Sequence, residues 1–388
     1  MKILGVHVGH DSNISVIENG ELIYYGKEES YSNIKKDLSP DYIFDVVKQE
    51  YTVDAVAYAV PTNNNLKTEH FETYCRKFFN NNFVNLSERH HLCHASHAFY
   101  DSGFDESYNV VIDANGSLFY DHEQFLLRGR EHESIYEASY PCNFKLIKQN
   151  DPTWYGVTLV YALITELIGG TPLDNGKTMG LSAYGDIDKD LPPFFDGIYP
   201  AGRLYGSLPI SPGNYFYFHE NKNIIDSLFA KQFEFVKLHQ EMYHDVRFIF
   251  LNILKNITKL KNTYELTKSN YKEYADLAAK IQKESEDAII NFILENCDFK
   301  ACKNITLSGG YGLNCLNNYR LLHELPEDVN LFVQPNADDS GISIGAAKYL
   351  YYKLSNSKEK FPLTDIYKSG NKEIDYWNLQ HYVEASIS

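Results

Sequence analysis

Apolar and polar positions in the first 60 residues predict a strand hairpin followed by a helix and a further strand. We predict strands at residues 2–9, 13–17 and 21–26, a helix at 41–50 and a strand at 53–60. The tight-turn dipeptide Asn19-Gly20 closes the hairpin. His10 and Asp11 lie in the connection between the first and second predicted strands. Polar loops of this kind hold phosphate or substrate in several folds. In other proteins such a segment only connects two strands. Both interpretations, a ligand site and a simple connection, stay open.

A second strand-and-turn pattern begins about a hundred residues later. Its strands are predicted at residues 108–112, 125–128 and 134–138. The leading strand again ends in a polar turn with an acid and a glycine, Asp113 and Gly116. Residue similarity between the two groups is weak, but the order of elements is the same. This recurrence predicts an α/β fold built from a duplicated domain that holds a ligand between its halves.

The rest of the chain alternates helical periodicity with short apolar runs. We predict helices at 156–168, 271–296 and 344–354 and strands at 305–308 and 329–334. Residues 186–270 carry little pattern and are predicted to be an insertion followed by helices, clearest near 231–256. The polar tail from residue 355 is predicted to dock loosely.

Two glycine-rich stretches are candidate ligand loops. Residues 174–185 contain Lys177 and Gly180 and are predicted to form a loop that approaches an anion, although glycine-rich loops are common. After the strand at 305–308, Gly309 and Gly310 precede a predicted helix start. Paired glycines there let backbone N–H groups meet a ligand. An ordinary tight turn between strand and helix explains the same residues equally well.

Composition narrows the class of protein. With 36 Lys and Arg against 52 Asp and Glu, the formal charge is 36 − 52 = −16, which disfavours non-specific binding to duplex nucleic acid or anionic membranes. Apolar runs are shorter than the roughly 18 residues that cross a bilayer. The six cysteines form no CxxC pair, and the chain begins with a predicted strand. We therefore expect free thiols and a cytoplasmic location.

Four histidines fall within the eight residues from His90 to His97. His90 and His94 are four residues apart, so a helix would place both imidazoles on one face. That spacing suits two ligands of one metal ion. The alternative is a helix start whose histidines serve as polar caps, and the spacing does not decide between the two.

Six short motifs run in order through nearly the whole chain. They lie at residues 10–12 (HDS), 28–35 (EERxxxxK), 90–95 (HHxxHA), 177–185 (KxMGLxxYG), 308–315 (GGxxLNC) and 335–347 (PxxxDxGxxxGAA). Together they resemble the motifs of O-carbamoyltransferases of the nodulation-factor and antibiotic-biosynthesis type. The catalytic domain of that family is itself similar to the universal tRNA threonylcarbamoyl-transferase subunit. Any single motif is modest evidence, whereas six in the same order are specific.

The resemblance implies a duplicated actin-like fold of the ribonuclease-H (ASKHA) type, with mixed sheets flanked by helices. We expect one subdomain at residues 1–105 and a second at 106–354, with the helical insertion at about 186–270 and a tail at 355–388. The resemblance also implies Fe²⁺ or another divalent metal. Its ligands would be His90, His94 and Asp339, with Asp113 on or near the ion. Neutral imidazoles and carboxylates suit a first-row divalent ion.

The activity implied by the resemblance is carbamoyl transfer. The donor would be carbamoyl-adenylate, made from carbamoyl phosphate and ATP, and the acceptor a hydroxyl of a small molecule, sugar or modified nucleoside. By analogy, His10 would take the proton of the acceptor hydroxyl. The implied nucleotide-binding residues are Lys35, Asp113, Gly116, Ser117, Lys177, Gly180, Gly309, Gly310 and Asn314. Two alternatives remain: a nucleotide-binding module without turnover, and a sugar kinase-like phosphotransferase of the same superfamily.

This sequence departs from the family pattern at several positions. Ser30 stands where the motif has arginine, and Asn175 where an acid is usual. His97 is an additional histidine, either a further ligand or a residue on another face of the helix. The family also has a second, YrdC-like domain that makes carbamoyl-adenylate, and this sequence ends shortly after the point where that domain would begin. We therefore expect such a domain to be absent from this sequence. Either it is a separate domain or chain, or this sequence is a fragment, or the protein uses its ligand differently.

Overall fold

A computed structural model describes residues 1–60, 66–79, 82–121, 126–151, 155–187, 191, 193–200 and 271–364 of the chain. Two five-stranded mixed sheets form its framework. The strands of the first sheet are β1 (Lys2–His7), β2 (Asn13–Glu18), β3 (Glu21–Lys27), β4 (Ala55–Ala59) and β5 (Phe83–Asn85), in the spatial order β3-β2-β1-β4-β5. The first three strands are antiparallel neighbours, and β4 and β5 continue the sheet in parallel.

The second sheet repeats this arrangement. Its strands are β6 (Glu106–Ile112), β9 (Glu133–Ser139), β10 (Asn143–Gln149), β13 (Asn304–Ser308) and β14 (Asn330–Val333), in the order β10-β9-β6-β13-β14. Again an antiparallel group of three is extended by two parallel strands. The predicted duplicated α/β fold with mixed sheets is therefore confirmed. Two small hairpins pair β7 (Leu118–Asp121) with β8 (Leu126–Arg130), and β11 (Phe195–Asp196) with β12 (Tyr199–Pro200).

Helices fill the layers around the sheets. They are α1 (Glu29–Ser32), α2 (Asp41–Glu50), α3 (Leu66–Phe78), α4 (His90–Ser102), α5 (Val157–Leu167), α6 (Asn175–Ser182), α7 (Tyr271–Asn296), α8 (Cys315–Glu324) and α9 (Ile342–Ser355). Short 3₁₀ turns at Gly310–Leu313 and Asp339–Gly341 precede the last two helices. Within the described ranges, no helix has the length and apolar character needed to cross a membrane.

Strand side chains alternate between two cores, as the pleat requires. In β1, Leu4 and Val6 pack outward with α2 and α3, whereas Ile3 packs inward with the central pair of helices, α4 and α9. In β6, Val110 faces the core formed by α5 and α7, and Val111 faces the central pair. The result is a layered structure in which α4 and α9 lie between the two sheets.

Helices α4 and α9 cross at unusually short range. A Cβ atom on Gly345 of α9 would lie 1.9 Å from the backbone oxygen of Cys93 in α4. Ser96 Oγ donates a hydrogen bond of 2.7 Å to the Gly345 carbonyl. Gly5 in β1 similarly leaves room for α9, because a Cβ there would lie 2.0 Å from the Ser343 oxygen. Small residues thus set how closely α9 approaches α4 and β1.

Most predicted elements are present, and one prediction of a loop is wrong. Residues 175–182 form helix α6 rather than an anion-approaching loop, and neither Gly176 nor Gly180 has an atom within 4 Å of a Cβ added there. The helices predicted near 231–256 lie outside the described residues. The division into subdomains at residue 105 stays a prediction. Helix α9 belongs to the predicted second subdomain, yet it packs against β1, β2 and β4 of the first sheet.

The described part of the C-terminal tail is held more firmly than predicted. Lys348 of α9 is buried and pairs with Asp101 of α4 at 2.5 Å, and it also donates to the Phe361 carbonyl at 3.1 Å. Leu363 N donates to the Asp101 carbonyl at 2.9 Å. Because a buried ion pair needs additional hydrogen bonds, the Phe361 carbonyl helps to satisfy this pair, and Leu363 attaches the same segment to the backbone of α4.

Candidate metal centre

Three separate elements bring two histidines and two carboxylates together between the sheets. His90 and His94 occupy the first turns of α4, Asp113 follows the end of β6, and Asp339 begins the 3₁₀ turn before α9. One potential ligand atom from each of the four lies within 4.8 Å of the others, and all four side chains are buried. The structure therefore places the four residues implied as metal ligands in one cluster.

The distances within this cluster suit one shared cation. The Nε2 atoms of His90 and His94 are 3.2 Å apart, and each lies 3.4 Å from Asp339 Oδ1. His90 Nε2 is also 3.4 Å from Asp113 Oδ2. Ligand atoms about 2.1 Å from a common ion are separated by roughly 3.0 to 3.4 Å in octahedral or tetrahedral geometry. Imidazole and carboxylate donors in this number fit a first-row divalent ion.

Backbone hydrogen bonds fix the Asp113 carboxylate. Gly310 N donates to its Oδ1 atom at 3.1 Å, and Asn115 N donates to Oδ2 at 3.2 Å. The predicted turn at Gly309 and Gly310 therefore orients a candidate metal ligand. Gly309 makes this possible because its φ of +84° is unfavourable for other residues, and a Cβ there would lie 2.2 Å from the Ile112 oxygen.

Charges in the cluster are strongly coupled. Burial raises the pKa of Asp339, but the neighbouring His10 and His90 outweigh it and hold that pKa well below its ordinary value. Burial lowers the pKa of His90, yet the Asp339 and Asp113 carboxylates prevail and raise it to about 10. The two carboxylates thus favour the protonated form of His90. A bound cation would displace that proton, so we expect cation binding to strengthen as pH rises.

His10 belongs to a polar group at the tip of the first hairpin. Its half-exposed ring places Nδ1 3.0 Å from Asp11 Oδ2 and Nε2 3.4 Å from Asp339 Oδ2. Asp339 first, and then Asp11, raise the pKa of His10 to about 9 against the opposing effect of burial. Asp11 is in turn held by Lys27, 2.6 Å from its Oδ1, and by Lys36, 3.5 Å from its Oδ2.

The residues predicted to bind nucleotide have different surroundings, and their role stays a prediction. Ser117 Oγ accepts from His90 N at 3.1 Å, and its own N–H donates to Glu131 at 2.9 Å. A Cβ on Gly116 would lie 2.7 Å from the His91 ring. Both residues therefore help to position the start of α4.

Three other predicted nucleotide residues lie apart from the cluster, Asn314 and Lys177 on the second half and Lys35 on the first. Asn314 caps α8 by accepting from Asn317 N at 3.1 Å. Lys177 is mostly exposed and pairs with Asp174 at 2.7 Å. Lys35 is exposed, while the adjacent Lys36 reaches Asp11. His97 lies 3.1 Å from Asp101 Oδ2, so the additional histidine pairs with an acid of its own helix.

Sequence reasoning missed Asn13, which connects both halves of the cluster. Its fully buried amide donates to the carbonyls of Asp11 and Asp339 at 2.7 and 2.9 Å, and it accepts from Ser343 N at 3.1 Å. One side chain thus ties the first hairpin to the turn that carries Asp339. An asparagine in a strand pattern gives no signal of such a contact, which depends on a partner 326 residues away.

Replacing Asn13 with alanine is expected to weaken divalent-cation affinity about 10- to 100-fold, the usual effect of removing a group that orients a ligand. Titration of the chelator-treated protein with Co²⁺ would measure this. Asn330→Ala, which removes an exposed side-chain amide from β14, is the matched control and should bind as wild type does. Unchanged affinity in Asn13→Ala would show that Asp339 is held in place without it.

The fold and this cluster define a duplicated α/β protein with two histidines and two carboxylates between its halves. The sequence profile of the family described as carbamoyltransferase N-terminus matches residues 46–348. The chain belongs to this family.

Individual relatives are distant. An uncharacterized protein of Methanocaldococcus jannaschii, MJ1058, is 28% identical over 304 residues, covering 76% of this chain and 40% of its own length. Nodulation protein NolNO of Sinorhizobium fredii is 26% identical over 281 residues, covering 72% and 33% respectively. The crystal structure of T. kodakarensis HypF covers 91% of this chain and 48% of its own, with 11% identity and a TM-score of 0.47. This chain thus spans less than half the length of the two curated relatives.

Proposed function

We propose that this chain transfers a carbamoyl group from carbamoyl-adenylate to a hydroxyl of a small molecule, sugar or modified nucleoside. The observation that carries the proposal is the cluster of His90, His94, Asp113 and Asp339, with His10 in contact with it, in a chain of the carbamoyltransferase family. Carbamoyl-adenylate would come from carbamoyl phosphate and ATP through a separate YrdC-like domain or chain.

The four-residue cluster would hold Fe²⁺ or another first-row divalent cation. Its donor set fits such an ion, because the Nε2 atoms of His90 and His94 and one oxygen each of Asp113 and Asp339 converge between the sheets. When bound, the cation would supply Lewis-acid polarisation of the carbamoyl oxygen or orient the nucleotide phosphate. The protein's own part is to keep both carboxylates ionised and the imidazoles aligned.

His10 would accept the proton of the acceptor hydroxyl. In the transfer, the hydroxyl oxygen bonds to the carbamoyl carbon, the bond from that carbon to the phosphate oxygen breaks, and AMP leaves. Asp11 orients the imidazole through Nδ1, so that Nε2 is the atom available to take the proton. Because Asp339 is the main cause of the raised pKa of His10, neutralising that carboxylate with a cation would lower the pKa and free Nε2 to act as a base.

Charge near the first hairpin suits a phosphate. Lys27 and Lys36 both contact Asp11. As part of the same proposal, Lys35 and Lys177 would bind the nucleotide. On the second half, backbone groups of the turns at 113–117 and 308–313 would hold adenosine and phosphate. The bound nucleotide would then bridge the two halves beside Asp339.

The experiment combines this chain with carbamoyl phosphate, ATP, a YrdC-like domain and a panel of hydroxylated acceptors. Mass spectrometry should detect acceptors that carry a carbamoyl group. Tight ATP or AMP binding without transfer to any acceptor would contradict the proposal in favour of a binding module. A phosphorylated acceptor would instead identify a kinase of the same superfamily.

Substituting His10 with glutamine should lower carbamoyl transfer by about 100-fold, since general bases contribute 10²- to 10⁴-fold. The ion held by His90 and His94 should remain bound, and elemental analysis would check this. The control is His323→Gln, at an exposed histidine of α8, which should transfer at the wild-type rate. Transfer by His10→Gln at the wild-type rate would exclude His10 as the base.

A further inference from the structure

The two oxygen atoms of Asp339 face different histidines. Oδ1 lies 3.4 Å from the Nε2 atoms of His90 and His94. Oδ2 lies 3.4 Å from His10 Nε2 and 3.9 Å from His7 Nε2. His7 ends β1 and is fully buried. It takes no part in the cluster described above, and the strand pattern around it gave no indication of chemistry.

The tautomer of His7 follows from its hydrogen bond. Its Nδ1 atom is 3.1 Å from the Ala59 carbonyl oxygen, and a carbonyl can only accept, so Nδ1 carries the proton. In the neutral ring, Nε2 is then a bare acceptor. It is buried without a hydrogen-bond partner among the described residues. A nitrogen lone pair and a carboxylate oxygen therefore face each other across 3.9 Å, an arrangement that calls for a donor or a cation between them.

His10 has the same orientation for a different reason. Its Nδ1 is 3.0 Å from Asp11 Oδ2, and Lys27 and Lys36 hold Asp11 in place. Histidines that bind metals usually donate their other ring N–H to a carboxylate or a backbone carbonyl. His10 has the carboxylate and His7 has the carbonyl. Both rings thus direct Nε2 toward Asp339 Oδ2 in the manner of metal ligands.

We propose that His7, His10 and Asp339 Oδ2 form a second divalent-cation site, with the Asp339 carboxylate bridging it to the ion held by His90 and His94. Two imidazoles and one carboxylate are a donor set suited to first-row ions such as Mn²⁺, Fe²⁺ or Co²⁺. An ion about 2.1 Å from each ligand can join atoms up to roughly 4.2 Å apart. The two separations from Asp339 Oδ2, 3.4 Å to His10 Nε2 and 3.9 Å to His7 Nε2, lie within this limit.

This site extends the proposed function, because it uses the same carboxylate and the same His10 atom. An ion bound there occupies the Nε2 lone pair that would otherwise accept the hydroxyl proton. The second ion and proton transfer to His10 therefore exclude each other. Carbamoyl transfer should rise as the first equivalent of cation binds and fall as the second one does.

Counting bound ions tests the site without relying on activity. Chelator-treated protein is dialysed against Co²⁺, and bound cobalt is measured by elemental analysis while thermal unfolding monitors the fold. Wild type should bind two ions and His7→Gln one. His10→Gln, at a half-exposed position, should also bind one. His97→Gln, at a buried histidine paired with Asp101, is the matched control and should bind two.

A single ion in wild type, or two in both His7→Gln and His10→Gln, overturns the second site. The His94→Gln variant separates this result from failure of the proposed function. If wild type binds one ion and His94→Gln none, only the second site is wrong, and water fills the space beside His7. If wild type binds no ion, both proposals are wrong.

Discussion

Replacement of Asp339 with asparagine is expected to abolish tight cation binding and to reduce carbamoyl transfer to below about one-thousandth of the wild-type rate. Removing a group that merely orients a ligand already costs 10- to 100-fold, and Asp339 is a candidate ligand itself. Four imidazoles face its two oxygens. Asparagine would offer one neutral oxygen and place an NH₂ group against Nε2 atoms. Elemental analysis of the purified variant and the acceptor-panel assay measure the two losses.

The matched control for this variant is Asp338→Asn. Asp338 is adjacent and half-buried, and its Oδ1 accepts from Ser340 N at 3.1 Å, a bond that an asparagine oxygen can keep. This control should bind cation and transfer carbamoyl at the wild-type level. If Asp339→Asn retained its ion and half of its activity, the carboxylate would not be a ligand, and the proposed chemistry would lose its centre.

Local patterns predicted the framework of this protein well, because each strand and helix leaves its own periodicity in the sequence. Helix α2 was predicted at residues 41–50 and is found at Asp41–Glu50, and the long helix predicted at 271–296 is Tyr271–Asn296. The repeated hairpin correctly indicated a duplicated domain. The i, i+4 pair His90 and His94 does place both rings on one face of α4. These features depend on neighbours within a few residues.

The rest of the site depends on contacts between residues that are far apart in the sequence, and local patterns do not contain these. Asp339 joins histidines about 245 positions earlier only because α9 crosses α4, and it was named through resemblance alone. His7 looked like one more position in an apolar strand. The contact of Lys36 with Asp11, made from a left-handed backbone with φ of +55°, is likewise not visible in the sequence pattern. The pattern of residues 174–185 predicts a loop that approaches an anion, but residues 175–182 form helix α6, because glycine disfavours a helix by only about 1 kcal/mol relative to alanine.

The helix crossing that assembles the site makes Gly345→Ala a severe substitution. An alanine Cβ at this position would lie 1.9 Å from the Cys93 carbonyl oxygen and 3.0 Å from His97 Cβ. Helix α9 must then move away from α4, which separates Asp339 from His90 and His94. We expect the free energy of unfolding to fall by about 3 kcal/mol or more, toward the upper end for overpacked cores. Chemical denaturation and cobalt titration would measure stability and cation affinity together.

Gly176→Ala supplies the control, because the same added methyl group meets no atom within 4 Å at that position of α6. Alanine is favoured over glycine in helices by up to about 1 kcal/mol, so this variant should be as stable as wild type or slightly more stable. Alanine is favoured over glycine at Gly345 by the same intrinsic preference. The cost of the steric clash with α4 must therefore be larger than this gain for Gly345→Ala to be destabilising. Wild-type stability and cation affinity in Gly345→Ala would mean that the two helices can separate without displacing Asp339. The close crossing would then not be what holds the carboxylate against the two imidazoles.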